Sequence, residues 1–177
     1  MFDATSKRAT IRPAQPGHLD VVADIWHQGW MEVHHGHVPD VLLAHRQPTD
    51  IRVRAAEQIN NTYVAQLGTE TVGFIVVHDD EVEHLYVAPG ARKMGIADLL
   101  LAHGESLISA HSTVAWLAVV PGNARARHFY ERSGWSNIGE FIQAARIAGG
   151  TIAVPALRYE KPLRQLPMND LRCLNRS

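Results

Sequence analysis

Cysteine is almost missing from this chain. Cys173 is the only one among 177 residues, which rules out a disulfide frame and a cysteine metal site and fits a reducing cytoplasm. An excess of either charge is missing too: 17 Lys and Arg against 18 Asp and Glu leave a formal net charge of −1. No global field therefore draws the protein to nucleic acid or to an anionic membrane. No apolar run approaches the ~18 residues of a membrane span, and the opening MFDATSKRAT lacks the apolar stretch of a secretory signal. There is no internal repeat and no low-complexity segment. What is present is an apolar fraction of 46% and a charged fraction of 20%, as in an ordinary globular protein. The length suits one domain with a sizeable core. The expectation is a soluble cytoplasmic protein with neither nucleic acid nor membrane as partner.

The hydrophobic period changes along the chain. ATIRPA is a short β-like opening, and Leu19, Val22, Ile25, Trp26 and Val33 then fall near helical spacing, predicting a helix over 18–34. HHGHVPD breaks it, and a weaker helix covers about 50–60. TYVAQL, TVGFIVV and EVEHLYV follow with tight turns between them, the pattern of an antiparallel meander. Ala97, Leu100, Leu101, Gly104, Leu107 and Ile108 trace one face of a helix to about residue 110. TVAWLAVV is another strand, PGNARARHFYERSG a short helix closed by Gly134, and WSNIGEFI with IAVPALRYEKPL a final antiparallel pair. Three consecutive strands without crossover helices exclude a doubly wound dinucleotide fold. They fit an α/β three-layer α-β-α architecture with a central mixed, mostly antiparallel sheet. One domain spans 1–163, and the polar tail 164–177 lies outside the core.

VAPGARKMGIADLLL, residues 87–101, joins a strand to a helix through a glycine-containing loop. A helix start exposes unpaired N–H groups and the positive end of the helix dipole, so such a loop can cradle a phosphate or pyrophosphate. Gly95 permits close backbone approach, Ala97 adds little bulk, and Arg92 and Lys93 add positive charge. Gly90 and Gly95 have the first spacing of a P-loop, but Ile96 and Ala97 stand where that motif needs Lys and Ser or Thr. Nothing there would reach a γ-phosphate or hold Mg²⁺.

The two segments that carry this pattern resemble the GNAT superfamily of acyl-CoA-dependent N-acetyltransferases. LYVAPGARKMGIADLL is similar to that family's Arg/Gln-x-x-Gly-x-Gly/Ala motif, with Arg92, Gly95 and Ala97 in the fixed places. NARARHFYERSGW is similar to its Asn-x-x-Ala-x-x-Phe-Tyr-x-x-x-Gly-Phe element through Asn123, Ala126, Phe129, Tyr130 and Gly134, with Trp135 replacing the usual Phe. The resemblance spans about 9–163 and is specific over 81–135. It implies acetyl-CoA as co-substrate, no metal, and transfer of acetyl to a primary amine by direct attack in a ternary complex. Backbone N–H groups of Arg92, Lys93, Met94, Gly95, Ile96 and Ala97 would take the pyrophosphate. The edge of Leu85, Tyr86 and Val87 would pair with the pantetheine amides as a partner strand would. The Val87 N–H would polarise the thioester carbonyl, and Asn123 would bond the pantetheine arm or cap the helix it precedes. Ala126, Phe129 and Tyr130 complete the cofactor wall.

Acetyl transfer to an amine must remove one proton from the ammonium and give one to the leaving thiolate. By the family match Tyr130 is the acid. The base is Glu83 or Glu81, two apart on one strand and so on one side of the sheet, with His84 on the other. Glu83 is favoured for its nearness to the expected thioester. The first helix forms a wall of the acceptor site in this family, which makes Trp26, Trp30 and His34 substrate-lining candidates. His34, His35 and His37 have no acidic or Cys partner at ligand spacing, so no metal is expected. The acceptor is a small-molecule or peptide amine, and the family admits a homodimer through the last two strands. A non-catalytic CoA- or acyl-CoA-binding sensor is the alternative, against which the presence of Tyr130 weighs.

Overall fold

A computed structural model describes residues 8–34 and 36–164. Cys173, His35 and the tail beyond Arg164 lie outside the described residues. The change of hydrophobic period becomes a change of element. β1 (Ala9–Pro13) leads to α1 (Leu19–His34), α2 (Asp40–Ala44) and α3 (Pro48–Glu57). The meander is β2 (Thr62–Leu67), β3 (Glu70–His78) and β4 (Glu81–Val87). Then come α4 (Ile96–Ser109), β5 (Val114–Val119) and α5 (Ala124–Arg132), and β6 (Ser136–Ile147) with β7 (Gly150–Pro162) ends the order.

The seven strands form one sheet in the order β1-β2-β3-β4-β5-β7-β6. All neighbouring pairs are antiparallel except β4 with β5. Each face is covered by helices, because both faces are apolar: Phe74 and Val76 of β3 pack with Val22, Ile25 and Trp26 of α1. Ile75, between them in sequence, packs on the other side with Leu100, Leu101 and Ile108 of α4, as the period of two requires. This is the three-layer α-β-α sandwich with a mixed, mostly antiparallel sheet that the sequence predicts.

The differences are local. α2 forms directly after the segment read as a break, because Pro39 precedes a helical turn that buries Leu42. α3 starts at Pro48, a residue suited to a first turn, and stops at Glu57. β6 runs to 12 residues, past the expected WSNIGEFI, because QAARI continues the pairing with β7 up to an Ala148–Gly149 turn.

Two irregularities in β4 set up the site. β4 and β5 share a single rung, Glu81 opposite Trp116. It is fastened by Trp116, whose N–H donates to the Asp80 carbonyl at 2.9 Å and whose indole N–H donates to the Asp80 carboxylate at 3.0 Å. Beyond this rung the strands part. In addition Val77 faces Val82 and Val76 faces His84, which leaves Glu83 without a partner on β3, a β-bulge. α1 lies close over this strand, since Gly29 faces the Tyr86 ring and a Cβ there would overlap it.

Candidate active site

The gap between β4 and β5 opens into two cavities that meet. The larger, of about 400 Å³, is bordered by Leu85, Tyr86, Val87, Arg92, Lys93, Gly95, Ile96, Ala97, Asn123, Ala126, Phe129 and Tyr130. These are the expected cofactor residues, from two segments distant in sequence. Met94 does not border it, and is 56% exposed. The other cavity, of about 300 Å³, is bordered by Trp26, Trp30, His34, Glu81 and Glu83. Leu85, Tyr86, Asn123, Ala126 and Tyr130 border both.

The loop geometry explains its composition. Lys93 and Gly95 take left-handed φ values of 64° and 76°, a conformation suited to glycine and strained for β-branched residues. The first bond of α4 runs from the Leu99 N–H to the Gly95 carbonyl, so the N–H groups of Ile96, Ala97 and Asp98 have no acceptor within the helix. The Arg92 side chain points elsewhere. Its Nε donates to the Val87 carbonyl at 3.3 Å and its guanidinium meets Glu32 of α1 at 2.7 Å, tying the loop to β4 and α1. The Ala88 N–H bonds the Val72 carbonyl, so the preceding residue, Val87, presents its own peptide groups away from β3, toward the gap. Asn123 caps α5 through its side-chain oxygen, which accepts from the Ala126 N–H at 3.1 Å. Its amide NH₂ is left for the cavity.

The two glutamates occupy unlike environments. Burial, and then the neighbouring Glu83 and Asp80, push the Glu81 carboxyl up to about 7. Burial works in the same direction on Glu83, but His84, the Gln58 side chain and the charge of Arg54 outweigh it and hold this carboxyl down at about 2. Gln58 Nε2 donates to Glu83 at 2.8 Å, and His84 Nε2 stands 3.4 Å from its other oxygen. Burial pushes the His84 imidazole down, toward the neutral form. Tyr130 is 9% exposed, and burial raises its phenol above the ordinary range.

His84 corrects the expectation drawn from a regular strand. The bulge at Glu83 turns it onto the same face as both glutamates, where its ring meets Trp26 at 4.2 Å. Trp26 and Trp30 are core residues, 1% and 6% exposed, that border the cavity. His34 stacks flat on Trp30 at 4.5 Å and bonds the Trp30 carbonyl through Nδ1, and burial lowers its pKa to about 4. Among the described residues no group of three or more His, Cys, Asp or Glu could hold a metal ion. Sequence reasoning missed Arg46, Arg54 and Gln58, which approach the acceptor side from the α2–α3 connection, from α3 and from the end of α3. On a weak helical pattern these look like surface residues, and no local signal marks them.

Comparison with known proteins matches this architecture. Residues 22–135 match the model of the acetyltransferase (GNAT) family. No curated protein matches the chain in sequence. Among solved structures it is similar to yncA of Salmonella typhimurium, assigned as an acetyltransferase and solved with its cofactor acetyl-CoA. Identity there is 15% and the TM-score 0.67, over 90% of this chain and 96% of that one. The paia N-acetyltransferase of Thermoplasma acidophilum, in complex with coenzyme A, is 16% identical with a TM-score of 0.61, over 88% and 99%. An N-acetyltransferase of Staphylococcus aureus Mu50 is 17% identical with a TM-score of 0.67, over 89% and 99%. At these identities the structures speak for the fold alone, and the family model carries the assignment. With its matched span covering the pyrophosphate-type loop, the parted strands and Tyr130, the chain belongs to the acetyltransferase (GNAT) family.

Proposed function

We propose that this protein transfers an acetyl group from acetyl-CoA to a primary amine by direct attack, with Glu81 as base and Tyr130 as acid. The observation that carries the reading is the meeting of the two cavities at the β4–β5 gap, with Tyr130 bordering both and Glu81 at the closed end. The residues suit the co-substrate: free N–H groups at the start of α4, the Val87 peptide facing the gap, and the Asn123 amide. When bound, acetyl-CoA supplies an activated acyl carbon whose C–S bond is exchanged for a C–N bond. Glu81 accepts the proton that the ammonium must lose, directly or through one water. Its pKa near neutrality is the value at which a base is both largely ionised and basic. Glu83, held ionised at about 2, is too weak a base and serves instead to keep Glu81 raised. The Val87 N–H stabilises charge on the acyl oxygen, and Tyr130 gives its proton to the departing sulfur.

The catalytic unit is a single domain over 1–163, working in the cytoplasm on a small-molecule or peptide amine. The test is release of free thiol from acetyl-CoA with a panel of amines. Amine-dependent release is expected. Binding of CoA without any release above background hydrolysis leaves a binding module in place of an enzyme. The loop has its own test. Gly95→Val forces a β-branched residue into a left-handed position, so stability is expected to fall by roughly 1–2 kcal/mol and calorimetric CoA affinity at least tenfold. Unaltered affinity counts against the cradle.

A further inference from the structure

The acceptor cavity holds two guanidinium groups that form no ion pair among the described residues, although the charge of Glu83 acts on Arg54 from beyond contact distance. Arg46 is 4% exposed, borders the cavity and lies over the Trp30 ring at 5.8 Å. Among the described residues no carboxylate lies within ion-pair distance of Arg46 or Arg54. Asp50, whose charge acts on Arg46, already accepts from the Gln47 N–H. A buried guanidinium without a counter-charge costs stability unless a partner arrives. Two cavity-lining nitrogens, Trp26 Nε1 and Arg54 Nε, are buried with no hydrogen-bond partner among the described residues.

A structural role explains only part of this. Arg46 donates to the His45 and Arg146 carbonyls, each at 2.8 Å, and Arg54 donates to the same Arg146 carbonyl. These bonds hold the β6–β7 hairpin against α3. A guanidinium has five N–H donors, so both residues keep donors to spare. The cavity is therefore two-signed, lined by Glu81 and Glu83 of β4 and by Arg46 and Arg54. A polyamine or an aminoglycoside would set a second cation against the arginines. A peptide N-terminus brings no acid beside its amine. At about 300 Å³ the space is at the low end for small-ligand pockets, roughly 300–1,000 Å³.

We propose that the acceptor is a small amine that also bears a carboxylate, of the amino-acid class, with its acid held by Arg46 and Arg54 and its amine turned toward Glu81 and the strand gap. Planar guanidinium and carboxylate groups suit each other in paired hydrogen bonds. The indole N–H of Trp26 is a further donor on the same wall. The proposal rests on the acetyl-transfer reading and names its substrate class.

The test uses matched acceptors with acetyl-CoA and thiol detection: histidine with histamine, tryptophan with tryptamine, phenylalanine with phenethylamine, each also as its carboxamide. The acid of at least one set is expected to show kcat/KM ten times or more above its two neutral counterparts, chiefly through KM. Arg46→Gln is expected to bring that ratio close to one. Arg54→Gln gives the same reading if the first variant does not fold, as judged by circular dichroism. In parallel, calorimetry on the protein without acetyl-CoA is expected to show binding of the preferred acid, weakened at least tenfold by Arg46→Gln. Decarboxylated amines used as well as the acids, or an acid preference that survives both substitutions, overturns the proposal while leaving acetyl transfer standing. Should no acceptor release thiol, the acetyl-transfer reading falls. Calorimetry then decides the site alone, with Arg46-dependent acid binding supporting it and no binding overturning it.

Discussion

Glu81→Gln is expected to lower kcat/KM by about 10²- to 10³-fold, the scale on which a positioned general base contributes. The change removes the proton acceptor at nearly constant volume, so acetyl-CoA affinity should hold. In the unaltered protein Glu81 must be ionised to act, and burial beside Glu83 and Asp80 sets its pKa at about 7. Activity should therefore rise about tenfold per pH unit below neutrality and level off above it, and the variant's residual rate should lose this limb. An unchanged acid limb in the variant would assign the ionisation to another group. Glu83→Gln makes the control sharper. It removes a charge that raises Glu81, so the limb is expected to move to lower pH rather than vanish.

The same shift makes a statement about stability. A carboxyl whose folded pKa lies above its ordinary 4.5 binds its proton more tightly in the folded state. Its contribution is present at low pH and is lost as pH rises from 4.5 to about 7. Above neutrality, Glu81 ionised beside Glu83 works against folding. The Gln variant should thus be more stable at pH 8 by roughly 1–2 kcal/mol, allowing for the solvent that still reaches the group, and less active.

Tyr130→Phe should cut kcat about 10²-fold while acetyl-CoA binds with little change. The ring is packed against Phe129, Trp135 and Tyr159, and phenylalanine keeps those contacts. What disappears is one O–H at the junction of the two cavities. Because burial raises the phenol above its ordinary range, Tyr130 stays protonated through any workable pH. No alkaline limb from this residue is expected below about pH 10. The diagnostic is chemical. An acyl donor with a better leaving group than an alkyl thiolate needs less protonation, so the defect should shrink with such a donor. A defect of equal size with both donors would make Tyr130 a packing residue.

Much of this site was legible because it is local. A strand, a tight loop and a helix start are contiguous in VAPGARKMGIADLLL, so composition alone shows where unpaired N–H groups collect. Asn123, Ala126 and Tyr130 lie within two turns of one helix and keep their spacing in the fold. The acceptor side is assembled from distant elements and was legible only in part. Arg46 and Arg54 reach it because α2 and α3 lie across the end of a hairpin formed a hundred residues later. His84 was misplaced for a different reason. EVEHLYV alternates no better with a bulge than without one, and bulges depend on pairing with β3 rather than on the strand's own residues. The preference between the two glutamates also changes for an environmental reason. Proximity to the gap suggested Glu83, but its contacts with Gln58 and His84 are set by tertiary packing.

The bulge also separates two experiments that usually coincide. Glu83 stands on β4 without a rung, so Val82 and His84 already face adjacent residues of β3. Deleting Glu83 would close the ladder into a regular strand, and every residue from His84 to Val87 would keep its orientation. Substitution at this position tests a carboxylate, whereas deletion tests an insertion. A regular strand offers one face a side chain at every second residue. One additional residue gives the acceptor face Glu81, Glu83 and His84 from four consecutive positions. Three interacting ionisable groups thus arise from a single codon's worth of chain, with the phase of the strand beyond it untouched.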